Sequence, residues 1–312
     1  MAKKKTATAT RFFEVLSSGK DAFRGQDEAI VVRVHVDPTC PRELALAVKG
    51  SLVAERPGGV VEVRGLVGAP ALDPAPDVAL VLVGSSDVSS LVASYARAGV
   101  FVGLVVEGAL DAPDLGLDER SSARVGVVAA SSASALTDKL GAWLASVSDK
   151  RLALAANFAF CRRAVVDALV RRCALENAAV GAVSLVPGSD LPLMCANQAT
   201  LALDIAAAYG RALAPARAVE LAGVVGAGFA YRAVARTALE LIPGLGGALK
   251  AGVGYSGTLL TGHALRLRFE AADEHRRAPA ATGDAGASVQ RPSFREAADA
   301  RDGYVTIGNE RA

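Results

Sequence analysis

The sequence predicts an α/β domain built on a small doubly wound, mostly parallel sheet, followed by an all-α domain rich in glycine and alanine. Three observations carry that reading. Short β-branched runs alternate with helical patterns as far as about residue 150. Beyond residue 151 the alternation stops and helical periodicity continues alone. The apolar mass is aliphatic, 52% hydrophobic with only 5% aromatic residues, which suits packed cores better than a ring-lined ligand site. A chain of 312 residues exceeds one typical domain and can bury two cores.

The first strand is predicted over Ala29 to Val36 (AIVVRVHV), and Pro41 to Ala54 then shows apolar residues at helical spacing. Pro41 suits the start of that helix, because its missing N–H has no partner there in any case. A second strand fits Val60 to Val67. After the proline-rich GAPALDPAP loop, a third fits Asp77 to Val83. A helix over Ser85 to Ala98, strands over Val100 to Val106 and Ala123 to Ala129, and a helix over Ser131 to Val147 complete the unit. Several of these strands are apolar throughout, as strands covered on both faces must be. The α/β domain is therefore placed at 29–150.

The helical domain is placed at 151–277, with helical stretches near Arg151 to Val186, Leu191 to Tyr209, Pro215 to Leu241 and Gly247 to Arg277. Asp190 is positioned to cap the second stretch and Gly210 to close it in a left-handed conformation. Arg162 and Arg163 lie about two and a half turns from Arg171 and Arg172, so the two pairs point apart and make no single basic face. Gln198 is expected to be satisfied between helices, and Lys250 to snorkel from an apolar stretch. Gly254, Thr258 and Gly262 recur at four-residue spacing and leave a groove of small side chains for a close helix neighbour.

Residues 1–28 are expected to form a tail in which Arg11 to Phe23, preceded by Lys3, Lys4 and Lys5, is either an amphipathic helix suited to an anionic membrane surface or a solvated segment with a docking helix. No apolar run with a small-residue cleavage site follows, so no secretory signal is expected. Residues 278–312 are polar and are expected to be disordered, with Tyr304 to Ile307 as a short recognition segment.

A net charge of +2 is too balanced for a nucleic-acid partner. Cys40, Cys161, Cys173 and Cys195 are widely spaced, as are His35, His263 and His275, so neither a disulfide framework nor a metal site is suggested.

In a doubly wound sheet the turn after the first strand is where chemistry is sought. That turn reads His35-Val36-Asp37-Pro38-Thr39-Cys40-Pro41-Arg42. It lacks the glycines and lysine of a phosphate loop, and its two prolines remove N–H donors. His35 and Asp37 share a face of the extended run and could form an acid/base pair. A structural histidine beside a helix-entry aspartate is the alternative. No catalytic, cofactor-binding or metal-binding residue is nominated, and no cofactor is expected.

The order of elements resembles a shrunken Ras/Era-like GTPase domain. Asp77 to Ser86 is similar to the strand before the middle helix of that family, and Phe101 to Asp111 to the strand carrying its N-K-x-D motif. Glu107, Gly108 and Leu110 stand at the corresponding positions, so the base-reading residues do not carry over. A generic flavodoxin-like or Rossmann-like module is the competing reading. In the second domain, Leu185-Val186-Pro187-Gly188-Ser189-Asp190-Leu191-Pro192-Leu193, Asn197-Gln198, Tyr209-Gly210 and Ile242-Pro243-Gly244 appear in order. Over Val165 to Glu270 the chain thus resembles the bacterial helical domain of unknown function found behind Era-like GTPase domains and in YcjF-type inner-membrane proteins. That resemblance implies a membrane surface or a GTPase-like protein as partner, a place on the cytoplasmic side at the inner membrane, and no known reaction.

The function expected is therefore that of a non-enzymatic, membrane-associated binding or scaffold protein, its GTPase-like domain lacking the P-loop. The alternatives are a nucleotide-binding switch using an atypical loop around Asp37 to Arg42, and a soluble scaffold.

Overall fold

The computed structural model describes residues 21–66, 68–183, 191–211, 246–277 and 304–307. Contacts divide the chain into two units, Glu28–Ala164 with Pro279–Ala312, and Met1–Asp27 with Val165–Ala278.

The α/β unit runs β1 (Ile30–Val36), α1 (Arg42–Ser51), β2 (Gly59–Gly65), β3 (Val78–Leu82), α2 (Ser89–Arg97), β4 (Phe101–Val106), α3 (Glu119–Ser122), β5 (Val125–Ala129), α4 (Ala133–Val147) and α5 (Arg151–Asn157). The first five strands are parallel in the order β5-β4-β3-β1-β2. This is the 2-1-3-4-5 order of flavodoxin-like sheets, in which β1 and β3 lie side by side although their connections leave in opposite directions. Every residue of β3 is buried, as its apolar run requires. Alternation then sorts the side chains. Ile30, Val32 and Val34 join Leu44, Val48, Leu136, Leu140 and Leu144 on one face. On the other, Ala79, Val81, Val102 and Leu104 pack with Leu91, Val92 and Tyr95.

Two helices are shorter than their periodicity suggests, for local reasons. Helix α1 ends at Ser51, and Ala54 then bridges to Phe158. Helix α2 starts at Ser89 rather than Ser85, because the backbone N–H groups of Gly84, Ser85 and Ser86 are engaged by the β1–α1 turn. Ser132 caps α4, accepting from the Ala135 N–H at 3.3 Å.

The paired strand residues Gly103 and Gly126 form a dent in the sheet that holds the indole of Trp143. A Cβ on Gly126 would lie 2.0 Å from Trp143 Nε1, and one on Gly103 would lie 2.7 Å from Trp143 Cζ3. Neither position tolerates a side chain without moving the ring.

The first predicted helical stretch is broken rather than continuous. After α5 a 3-10 turn (Ala159–Cys161) precedes α6 (Arg162–Val183). Phe158 is fully buried at the break, Glu55 N–H donates to Asn157 O at 2.8 Å, and the Arg162 guanidinium pairs with Glu55. These contacts tie α5 to the sheet, so the division between units falls at 164/165 instead of the predicted 150/151.

In the helical unit, α6 continues to Val183, followed by α7 (Leu191–Ala208) and α8 (Gly246–Arg277). Gly210 ends α7 with φ +63, and Gly210 and Arg211 donate to Ala207 O and Ala206 O, the left-handed closure read from the sequence. The small-residue face of α8 meets α6. A Cβ on Gly254 would lie 2.7 Å from Asn177 O, and one on Gly262 would lie 2.4 Å from Val170 Cγ2. Tyr209 stacks on Phe269 at 5.1 Å, and Arg211 pairs with buried Asp273. The predicted helix over Pro215 to Leu241 and the Asp190 cap lie outside the described residues.

At the ends, residues 21–26 are helical with Ala22 and Gln26 buried, while the rest of the predicted amphipathic helix lies outside the described residues. Tyr304–Ile307, expected within a disordered tail, instead forms β6, antiparallel to β2 with Val63 opposite Val305. A β-branched run can complete an open edge in this way. The remainder of 278–312 lies outside the described residues.

Trp143 is the only tryptophan of the chain, so its fluorescence reports on the dent directly. Gly126→Val is expected to cost about 1–3 kcal/mol in urea unfolding, with an altered emission maximum of the folded state. Unchanged stability and emission would contradict the dent.

Candidate functional site

The crevice at the carboxyl ends of β1 and β3 is where a ligand of this sheet order would sit. Two turns meet there, 37–41 after β1 and 84–88 after β3. Asp37 N–H donates to Leu82 O at 3.1 Å, which carries the parallel pairing one residue past β1. The side chain of Asp37 is fully buried. Its Oδ1 accepts from Thr39 N–H at 2.9 Å, Thr39 Oγ1 at 2.7 Å and Ser86 Oγ at 3.0 Å. Its Oδ2 accepts from Gly84 N–H at 3.1 Å and Ser86 N–H at 2.9 Å. Thr39 Oγ1 in turn accepts from Ser85 N–H at 2.8 Å and Ser85 Oγ at 3.0 Å.

The turns are also in steric contact. A Cβ on Gly84 would lie 2.3 Å from Thr39 Oγ1 and 2.7 Å from Cys40 N, so only glycine fits. Burial works to raise the Asp37 pKa, but the hydrogen bonds from Thr39 and Ser86 outweigh it and hold the carboxyl at about 2. It is therefore an anion at neutral pH, and it occupies amide donors that an external anion would need.

His35 takes no part in this cluster. It lies on the opposite network, where Nδ1–H donates to Gly65 O at 3.0 Å and Nε2 accepts from Tyr95 Oη at 2.9 Å. Gly65 O can only accept, which fixes that tautomer. Tyr95 Oη also accepts from Arg33 Nη1 at 3.4 Å. Arg33 is buried, with Nε on Glu62 Oε2 at 2.6 Å and Nη2 on Pro74 O at 3.0 Å. Burial, assisted by the charges of Arg33 and Arg64, lowers the His35 pKa against the opposing Gly65 hydrogen bond. The acid/base alternative for His35 and Asp37 thus gives way to two separate structural roles. The segment matched to a guanine-reading loop ends in a 3-10 turn, Ala109–Asp111. There Gly108 N–H donates to Asp111 Oδ2 at 2.8 Å, and Leu110 is fully exposed.

The helical unit holds a second polar locus. Residues at helical spacing on α6 (Arg172, Cys173, Glu176) face Asn197, Thr200 and Asp204 of α7 across a cavity of about 210 Å³. Beside it, Asn177 Nδ2 donates to Thr258 Oγ1 at 2.9 Å, and Asn197 Nδ2 donates to Asn177 Oδ1 at 2.9 Å. Burial pushes the Asp204 carboxyl up to about 6, with the Glu176 charge adding and the Arg172 charge opposing. Arg172 Nε is itself paired with Glu176 at 3.0 Å. Gln198 is buried, as expected of an interhelical polar residue. None of the four cysteines forms a disulfide. Among the described residues no cluster of His, Cys, Asp and Glu could hold a metal ion.

The sequence marks Asp37 at this turn but not its three donors from Gly84 and Ser86, which lie almost fifty residues away and meet it only through the strand order. Asp204 carried no local signal beyond an acid within an apolar helix. Comparison of the chain with family models, curated proteins and solved structures finds no match.

Two outcomes are expected. Asp37→Ala removes the acceptor of the Thr39, Gly84 and Ser86 amides and should cost about 1–3 kcal/mol in urea unfolding. Because the folded pKa lies below the ordinary 3.8, this carboxylate's contribution is complete above about pH 4 and drains away as the pH falls towards 2. Asp37→Asn should lack that acid loss, and an unchanged acid limb would contradict the assignment. For Asp204 the sign is reversed. A folded pKa of about 6 above the ordinary 3.8 means stability that is full below about pH 4 and lost as the pH rises through 6. Asp204→Asn should therefore slow hydrogen exchange in α6 and α7 at pH 8 but not at pH 4, and equal effects at both would contradict it.

Proposed function

We propose that this chain is a non-enzymatic binding or scaffold protein that associates with the cytoplasmic side of the inner membrane. Its α/β unit serves as a GTPase-like module without a phosphate loop. One observation carries the first half of this reading: the Asp37 carboxylate takes the Gly84 and Ser86 amides at the crevice where a nucleotide phosphate would need them. A triphosphate entering there would meet a buried negative charge, and the turn after β1 has neither lysine nor glycine to offset it.

The second half is supported by the ordered motifs from Leu185 to Gly244 and the resemblance they carry. Surface leucines on the helical unit add to it, with Leu260 and Leu267 exposed two turns apart on α8. Among the described residues no helix is long and apolar enough to cross a membrane. The proposal is therefore of association with a bilayer surface or a GTPase-like partner, and it names no spanning segment.

Cell fractionation combined with calorimetry tests both halves. The full chain should sediment with membranes and be released by carbonate, and magnesium GTP or ATP should give no saturable heat. Recovery in the supernatant without detergent would replace the membrane reading with a soluble scaffold. Saturable nucleotide binding would replace the scaffold with a switch.

A further inference from the structure

The two edges of the sheet are finished differently. On one side β2 is covered by β6 of the same chain. On the other, β5 ends the sheet, and among the described residues no strand pairs with its outer side. Register fixes which groups this leaves facing outward. Val102 N–H donates to Arg124 O at 2.9 Å and Ala130 N–H donates to Val106 O at 3.2 Å. In a parallel ladder the even-numbered residues of β5 therefore serve β4, and the backbone groups of Val125, Val127 and Ala129 point away from the sheet.

Proteins ordinarily blunt such an edge with charge, proline or a bulge. The run Val125-Gly126-Val127-Val128-Ala129 contains no charge and no proline, and it pairs with β4 in unbroken register. Among the described residues the one such device is Lys139, whose Nζ donates to Ala129 O at 2.6 Å at the far end of the strand. Among the described residues nothing covers the centre, where Val127 is 50% exposed.

We propose that β5 pairs antiparallel with β5 of a second copy of this chain, joining the two sheets into one across a two-fold axis at Val127. A second copy is the partner that this edge fits without further requirement. The strand is uncharged, so juxtaposing it with itself brings no like charges together. Its outward residues are spaced evenly about Val127, which makes the edge self-complementary in the way an isologous interface demands. Val127 would exchange both N–H···O bonds with its mate, and Val125 would face Ala129 of the mate, about six bonds in all. Those to Ala129 O compete with Lys139, so the pairing is anchored at Val127 and Val125. The side chains of Val125, Val127 and Ala129 share one face of the strand and would meet their mates across the axis.

Sedimentation equilibrium of the full chain at tens of micromolar tests this, with two variants. Val127→Lys sets like charges against each other at the axis. Val127→Pro removes an outward N–H that the fold itself does not use. The wild-type chain is expected to be a dimer, and each variant to weaken association at least about tenfold while leaving the far-UV spectrum and Trp143 emission unchanged. Val127→Thr, β-branched and uncharged, should remain a dimer. A monomeric wild-type chain, or a dimer that survives both disruptive variants with their fold intact, would overturn the proposal. Should both variants unfold, protection from hydrogen exchange decides. The Val125 and Val127 amides should be protected in a concentration-dependent way in the wild-type chain, and concentration-independent exchange would overturn it.

Discussion

The α/β unit depends on one buried charge. The carboxylate of Asp37 joins the ends of β1 and β3 at the point where the chain reverses its winding, accepting from both turns at once. A doubly wound sheet leaves a crevice there, lined by amides that need an acceptor. Many such folds fill it with a ligand's phosphate. In this chain an aspartate fills it, and the consequences spread outward. The start of α2 moves from Ser85 to Ser89, Gly84 admits no side chain against Thr39, and the carboxyl stays ionised far below its ordinary range. The same contact that stabilises the fold occupies the place where nucleotide chemistry would begin. That occupancy is the ground on which we propose a binding module.

The rest of the unit follows the same rule of filling space with its own groups. A pair of glycines makes room for Trp143, and Arg33, deep in the sheet, is matched by Glu62, Tyr95 and the carbonyl of Pro74. A buried guanidinium is tolerated only when so paired. Tyr95 passes the polarity on to His35, whose pKa is lowered by burial and by the nearby charges of Arg33 and Arg64. In the helical unit, Asn177, Asn197 and Thr258 satisfy one another between three helices, and the glycines of α8 let those helices come close enough to do so.

Much of this was legible in the sequence because it is local. Apolar β-branched runs gave the five strands, the Ser131–Val147 periodicity gave α4, and Gly210 and the Gly254/Thr258/Gly262 spacing announced a helix end and a packing face that the structure places as read. What escaped was set by contacts between distant residues. The break at Phe158 and the assignment of α5 to the sheet depend on Ala54 and Glu55, a hundred residues earlier in the chain. Pairing of Tyr304–Ile307 with β2 depends on an open strand edge that composition cannot reveal. At the site, the turn was recognised as hostile to phosphate from its prolines and missing lysine. That an aspartate stands in for the anion required knowing which turn lies beside it.

The most direct measurement is a pH titration of the Gly84 and Ser86 amide proton resonances, followed by addition of magnesium GTP at neutral pH. Both amides should titrate together with a midpoint at about 2 and stay unmoved by the nucleotide. A midpoint in the ordinary carboxylate range, or a saturable shift on adding the nucleotide, would contradict a crevice closed by Asp37.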